Sequence, residues 1–261
     1  MKTNSRVHPL LIALAAAAIL PWLMGLAGLT TTSATEVVIF ALACMGLNLL
    51  AGYTGLVSFG HGAWFGLGAY IAALVALALP GDALILPLVV AVGLSAAIAT
   101  GFGWLMLRRR GVYFSLMTLA LSALGFTIAF RWTSVTGGEN GLGGVERPVL
   151  LGIDLNDNMN FYLLVALIAL LAAGLMWRFV NSPLGHVLEA IRENETRATA
   201  LGYDTQRYKL AAFVLSASIT ALAGVLLLYK NRLTSAEPMS IVFSGELLAM
   251  TVIGEIGRAH V

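Results

Sequence analysis

Long runs of Leu, Ala, Ile, Val and Gly alternate along this chain with short polar joints. The runs occupy residues 10–29, 37–51, 63–79, 83–107, 112–132, 161–180, 210–229 and 247 onward. Blocks of this size suit α-helices of ~20 residues crossing a bilayer, and they lack the two-residue alternation of a membrane β-barrel. The pattern predicts an all-α fold: a polytopic membrane helix bundle with about eight spans present, the last one cut short.

One polar stretch breaks the rhythm at residues 182–209, SPLGHVLEAIRENETRATALGYDTQRYK. Ser182 can cap a helix N-terminus, Pro183 suits its first position, and Gly202 is a stop signal. Between them Leu184, Val187, Leu188, Ile191, Ala198 and Leu201 recur at helical spacing, opposite Glu189, Arg192, Glu193, Thr196 and Arg197. Glu195, Asp204, Arg207 and Lys209 add to the charge. The stretch reads as an amphipathic helical elbow between spans. It is either a solvated loop whose charges enforce topology or a docking element for a soluble partner.

A second irregularity starts at Asn48 and continues from Gly52 as GYTGLVSFGHGAWFGLGAY. Backbone freed by so many glycines must be satisfied by protein or by a water-lined cavity, and interrupted apolar segments of this kind point to a translocation path. Close helix packing through Gly66, Gly68 and Ala72 explains the same residues. His61 reads first as a hydrogen-bonded structural residue and second as a proton relay.

Composition removes any soluble alternative. The chain is 59% hydrophobic and 11% charged, with a mean hydropathy of +0.89, whereas a soluble domain is roughly a quarter charged. The net charge of +2 is scattered among the loops and forms no stripe for nucleic acid. Lys2, Arg6 and His8 precede the first run, which is too long for a signal peptide and leads straight into another span, so it is expected to stay as a helix. With the N-terminus in the cytoplasm, Lys2, Arg6, Arg108, Arg109, Arg110, Arg178, Arg192, Arg197, Arg207 and Lys209 all fall inside. Arg131, Arg147, Lys230 and Arg232 fall outside, a bias that agrees with the positive-inside rule. The outside loops are then 30–36, 80–82, 133–160 and 231–243.

The chemistry in the spans is sparse. Cys44 is the only cysteine, which excludes an intrachain disulfide. Ser58 lies in GLVSFG, which is not a nucleophile elbow, and there is no HExxH, Walker A motif or paired intramembrane carboxylate. If transport needs ATP, another chain must bind it. The segment TSVTGGENGLGGVERP at 133–148 can form positive-φ turns that present backbone N–H groups, or can be a flexible connector.

Three blocks resemble the permease subunits of branched-chain amino acid ABC importers, in particular their LivM-like half. They are LNLLAGYTGLVSFGHGAWFGLGAY at 47–70, GVYFSLMTLA with WTSVTGGENGL within 111–142, and the elbow continued through Gly224. The resemblance implies a second homologous permease, two cytoplasmic ATP-binding subunits carrying ATP and Mg, and a periplasmic solute-binding protein in a bacterial inner membrane. No cofactor is then expected in this chain. The elbow looks like the coupling helix, with Glu189, Ala190, Arg192, Glu193, Glu195, Arg197 and Gly202 as its coupling residues. Gly137, Gly138, Asn140 and Gly141 would lie on the binding-protein side. Asn48, Thr54, Ser58 and Thr118 are the polar groups expected along a path for a small, largely apolar solute. Relatives with similar blocks import urea or short amides.

After MTVIG at 250–254 the resemblance stops, and the chain reads EIGRAHV to its end. Residues 1–255 are expected to form a single permease domain, and 256–261 to be a non-native tail derived from a sequencing adapter. Two other functional readings stay open, a secondary transporter with broken helices and an intramembrane hydrolase using Ser58.

Overall fold

Backbone polar groups in a bilayer must be satisfied within the chain, and apolar runs of this length do so as helices. The structure, a computed structural model, describes residues 9–79, 84–109, 111–150 and 152–256. Its main helices are α1 (Pro9–Leu26), α2 (Thr31–Thr54), α3 (His61–Ala78), α4 (Ile85–Met106), α5 (Val112–Arg131), the short α6 (Thr133–Thr136), α7 (Asn158–Val180), α8 (Pro183–Ala200), α9 (Thr205–Asn231) and α10 (Ile241–Ile256). Six of these, α2 to α5, α7 and α9, are long and apolar enough to cross a membrane, and α1 and α10 are shorter apolar helices. The chain is thus a multi-pass all-α membrane bundle, its apolar helices lying where the runs predict them. Lys2, Arg6, His8, Arg110, the loop at 80–82 and the tail residues 257–261 lie outside the described residues.

The helix ends differ from the pattern where polar residues find partners. Residues 31–36, expected as loop, open α2: the Thr35 hydroxyl donates to Thr31 O at 3.0 Å, and Glu36 pairs with Lys230 at 2.6 Å. The end of the expected elbow likewise becomes the first turns of α9. Asp204 caps that helix by accepting from Arg207 N at 3.2 Å.

Three helices form the centre. The most apolar windows of α2, α3 and α9 are 56%, 61% and 61% buried, against 22% for α4, α5 and α7, which lie at the outside of the bundle. Small residues let the central helices meet almost backbone to backbone. A Cβ on Gly68 would sit 2.4 Å from Ala221 O, and one on Gly224 would sit 1.9 Å from Phe65 O. Aromatic rings fill the space around them: Phe65 lies 5.1 Å from Phe243, and Trp64 meets Phe213 edge-on at 5.8 Å.

The end opposite α8 is closed by two small antiparallel pairings, β1 (Leu142–Gly143) with β4 (Leu233–Thr234) and β2 (Val149–Leu150) with β3 (Ile153–Asp154). Arg147 is buried there and closes the C-terminus of α9. It donates to Tyr229 O at 2.9 Å and Lys230 O at 2.8 Å, and its guanidinium lies 4.1 Å from the centre of the Phe161 ring. Burial, and then the nearby Arg232 charge, lower its pKa, but an arginine so bonded stays charged. Three of the four cations expected on this side are held by protein: Arg147 by these carbonyls, Lys230 by Glu36 and Arg232 by Asn156 at 2.7 Å.

Candidate functional site

The glycine-rich segment is a true interruption between α2 and α3. Gly55, at φ +70°, ends α2, with Gly55 N donating to Ala51 O and Leu56 N to Leu50 O. Residues 55–60 then run without helix until His61. Their backbone is satisfied from neighbouring helices, as a bilayer demands. Phe59 N donates to the Thr118 hydroxyl at 3.1 Å, and the Ser115 hydroxyl donates to Val57 O at 2.7 Å. Gly60 N uses the Ser58 hydroxyl at 3.3 Å, and Gly62 N uses Ser244 at 3.1 Å. Ser244 in turn meets Ser122, which donates to Met239 O at 2.8 Å.

His61 pins this interruption to α9. Its Nδ1 is 2.9 Å from the Ser58 hydroxyl and its Nε2 is 2.7 Å from the Ser216 hydroxyl. Ser216 donates its own proton to Gly46 O at 2.5 Å. It therefore accepts from Nε2–H, which leaves Nδ1 to accept from Ser58. The ring is a hydrogen-bonded structural residue linking three helices' worth of backbone. The Ser58–His61 contact has the length of a nucleophile–base pair, but Ser58 and Ser216 are 0% exposed and His61 1%. The group orienting the ring is a hydroxyl rather than a carboxylate. The arrangement holds backbone; it does not present a nucleophile.

Of the four expected path residues, the structure sets Thr118 and Ser58 on neighbouring backbone N–H groups, Thr118 accepting from Phe59 N and Ser58 from Gly60 N. Thr54 bonds back to Leu50 O at 2.6 Å within its own helix. Asn48 stands apart on α2, half-buried, with its Oδ1 buried and without a hydrogen-bond partner among the described residues. Sequence reasoning missed Ser122, Ser216 and Ser244. The signal was weak but present, because Ser122 and Ser216 are hydroxyls inside apolar runs, Ser244 lies just before the last one, and Ser216 with Thr220 repeats after one turn.

The elbow is α8, and its buried face is Gly185, Leu188, Ile191 and Ala198. Leu184 and Leu201, expected on that face, are 43% and 73% exposed. Leu184 lies in the open first turn of the element and Leu201 at its C-cap, and between Ile191 and Ala198 the helix kinks at Asn194, with φ −157° and ψ 95°. Asn194 Oδ1 accepts from Arg197 N at 2.9 Å and caps the second arm. Ser182 does not cap the first, since its hydroxyl donates to Phe179 O at 2.5 Å. Gly202, at φ +91°, stops the helix as expected, with Tyr203 N donating to Ala198 O at 3.2 Å.

The expected coupling residues separate into two groups. Glu189, Ala190, Glu193 and Arg197 are exposed on the outer face. Arg192 and Glu195 reach inward with their polar ends, Glu195 half-buried and Arg192 still exposed along its side chain. Arg192 Nη1 donates to Gly52 O of α2, while Glu195 Oε1 accepts from Lys209 Nζ at 2.6 Å and from the Thr205 hydroxyl at 3.1 Å.

At the far end the 133–148 segment is ordered. Gly137, Gly138 and Gly141 have φ of +74°, +62° and +70°. A Cβ on Gly141 would lie 2.1 Å from Thr234 O. The expected free N–H groups are absent from these glycines, because they bond within the loop: Gly137 N to Thr133 O, Gly138 N to the Thr136 hydroxyl and Gly141 N to Gly138 O. Exposed Glu139 and Asn140 are what the loop presents.

Comparison with known proteins gives one consistent result. The family described as "Branched-chain amino acid transport system / permease component" matches residues 29–260. The high-affinity branched-chain amino acid transport system permease protein LivM of Escherichia coli (strain K12) is 32% identical over 254 residues, 87% of this chain and 59% of that protein. The corresponding LivH protein of the same organism is 29% identical over 204 residues, 72% of this chain and 66% of its own length. A probable LivM permease protein of Methanocaldococcus jannaschii is 30% identical over 116 residues, 44% of this chain and 33% of that protein. The chain thus spans about three fifths of the length of the LivM protein it matches in Escherichia coli. No solved structure matches it.

Proposed function

We propose, since the chain belongs to the branched-chain amino acid transport permease family, that it is the transmembrane permease subunit of an ATP-driven importer for branched-chain amino acids or similar small solutes. It forms the translocation path by alternating access. A second homologous permease completes the path, and the likeness to both LivM and LivH proteins supports such a pairing. Two cytoplasmic ATP-binding subunits hold ATP and Mg, so hydrolysis resides in those partners. A periplasmic solute-binding protein delivers the solute. The assembly sits in the inner membrane with this chain's N-terminus in the cytoplasm, as the distribution of basic residues supports. Residues 1–255 act as one permease domain, and residues 256–261 are adapter-derived.

The observation that carries this reading is the interrupted, hydroxyl-held segment at 55–60, which buries Ser58 and Gly60 against the central helices while Val57 and Phe59 stay exposed, next to a charged amphipathic elbow at the end of the same helix. An interrupted span is where a path can open, and an exposed charged face is where a soluble motor can push. In this reading Glu189, Ala190, Glu193 and Arg197 face the ATP-binding subunit and Gly202 ends the coupling helix. Asn48, Thr54, Ser58 and Thr118 line or shape the path, Asn48 offering its unpaired carbonyl oxygen. The Gly137, Gly138, Asn140 and Gly141 loop meets the binding protein.

The test is uptake of radiolabelled leucine by proteoliposomes holding the permease pair, its ATP-binding subunits and the binding protein. Leucine uptake that requires ATP is the expected result. Uptake of urea or acetamide in place of leucine moves the chain to a related importer. Uptake driven by an ion gradient without ATP overturns the reading in favour of a secondary transporter.

A further inference from the structure

Arg192 and Glu195 belong to the elbow by sequence, but each fastens a polar atom to the bundle, Glu195 from a half-buried position and Arg192 through Nη1 while the rest of its side chain stays exposed. Gly55 N and Leu56 N return to Ala51 O and Leu50 O, so Gly52 O is among the terminal carbonyls of α2 that the backbone leaves over. Arg192 takes that carbonyl and brings a positive charge to the negative end of the helix dipole. Glu195 grips the first turns of α9 through Lys209, whose side chain is 4% exposed, and through Thr205. Asn194 lies between these two tethers in an extended conformation. The elbow therefore consists of two arms, one fastened to the end of α2 and the other to the start of α9.

The same two helices meet at the His61 pin. Ser216 of α9 donates to Gly46 O of α2 and holds His61 Nε2. A Cβ on Gly46 would lie 2.7 Å from the Thr220 hydroxyl and 3.0 Å from Ser216 O, so α2 and α9 touch along this seam. Any change in the angle between the two arms acts on both sides of it.

We propose that Arg192 and the Glu195–Lys209 pair are positioning residues that transmit movement of the elbow to the α2–α9 seam, and through Ser216 and His61 to the interrupted segment at 55–60, rather than contacts for the ATP-binding subunits. Bending at Asn194 shifts the end of α2 against the start of α9. The hydroxyl bonds across the seam then exchange, and the interruption is freed from its pin. This inference rests on the permease reading, in which the exposed face of the elbow receives the motor.

The experiment uses the assembled complex with Arg192→Gln, Lys209→Glu and the swapped pair Glu195→Lys with Lys209→Glu. Three quantities are read: attachment of the ATP-binding subunits, leucine transported per ATP hydrolysed, and amide hydrogen exchange of residues 55–60 with and without trapped nucleotide. Arg192→Gln and Lys209→Glu are expected to keep the ATP-binding subunits attached while transport per ATP falls about tenfold, within the range for residues that carry coupling without touching a ligand. The nucleotide dependence of exchange at 55–60 disappears in both, and the swapped pair restores it at least in part. Arg192→Gln that detaches the ATP-binding subunits, or that leaves both transport ratio and exchange unchanged, overturns the proposal. Wild-type complex that shows nucleotide-dependent exchange at 55–60 but no leucine uptake counts against the substrate reading alone, and the variants still decide the transmission role by exchange.

Discussion

The elbow α8 and the segment at 55–60 both break the apolar helical pattern, and they are held by different groups. On the elbow the polar face is charged and exposed, with His186 Nδ1 3.7 Å from a Glu189 carboxylate oxygen, a contact that solvent weakens. At 55–60 the holding groups are hydroxyls: Ser58, Thr118 and Ser216, none more than 1% exposed, and the less buried Ser115, each bonding backbone or an imidazole. Water can serve the elbow's free backbone groups, so its side chains are released for charge. Deep in the bundle only a hydroxyl small enough to fit between helices can do the same work without the desolvation cost of an ion. The difference teaches where each region can change: the elbow through its surface, the interruption only by breaking internal bonds.

The largest effect is expected from removing the close packing on which the inner region depends. Gly224→Val forces side-chain atoms onto Phe65 O and should separate α3 from α9 at a cost of about 3 kcal/mol. Thermal unfolding of the detergent-solubilised protein measures it. An unchanged midpoint would mean that the inner region is not rigidly packed and that the contrast with the elbow is wrong.

Next comes the place where the two regions join. Lys209→Met removes the ammonium from beside Glu195, which is 20% exposed on its side chain. Loss of one partner of a pair this enclosed should cost about 2 kcal/mol, reduced from the fully buried case by the remaining exposure. The same unfolding assay applies, and Glu195→Leu combined with Lys209→Met should recover part of the loss. A single variant as stable as wild type would place the pair among ordinary surface charges.

These two sites also show why one region was readable from sequence and the other only partly so. The elbow's existence, its stop at Gly202 and its buried Leu188, Ile191 and Ala198 follow from helical spacing. Spacing carries no information on what lies across from a charge, so Arg192 and Glu195 read as outward-facing when they point to Gly52 and Lys209. The kink at Asn194 was hidden for the same reason: an Asn can sit mid-helix or cap a new arm, and tertiary contacts choose. In the inner region the glycines announced an interruption, but its anchors come from Ser122, Ser216 and Ser244, far along the chain. A serine in an apolar run bonds its own helix as readily as a neighbour, as Thr54 does, and the sequence does not distinguish the two.

A smaller effect should follow Ser216→Ala. It takes away the donor to Gly46 O and the acceptor for His61 Nε2–H without changing volume greatly. Leaving those buried groups unmatched should cost about 1.5 kcal/mol. Ser218→Ala makes the control, because the Ser218 hydroxyl donates to Val214 O of its own helix at 2.7 Å. If both substitutions lower the unfolding midpoint equally, the His61 pin contributes nothing beyond a helical serine.

The smallest effect on stability, and the sharpest on the comparison, is expected from Glu193→Lys. Glu193 is exposed on the outer face of the elbow, one residue from the Asn194 kink, and among the described residues it has no ion-pair partner. A charge change at such a site should move folding stability by less than about 0.5 kcal/mol. The neighbouring Arg192 tether reaches Gly52 on the opposite side and is left in place. In the proposed importer, where Glu193 meets the ATP-binding subunits, their co-purification should nevertheless fall. A normal unfolding midpoint with lost attachment would establish that one turn of helix carries two separate duties, outward contact at Glu193 and inward fastening at Arg192. Retained attachment would shift the contact to Glu189 or Arg197 on the same exposed face, while a lowered midpoint would show that the outer face is also part of the bundle's support.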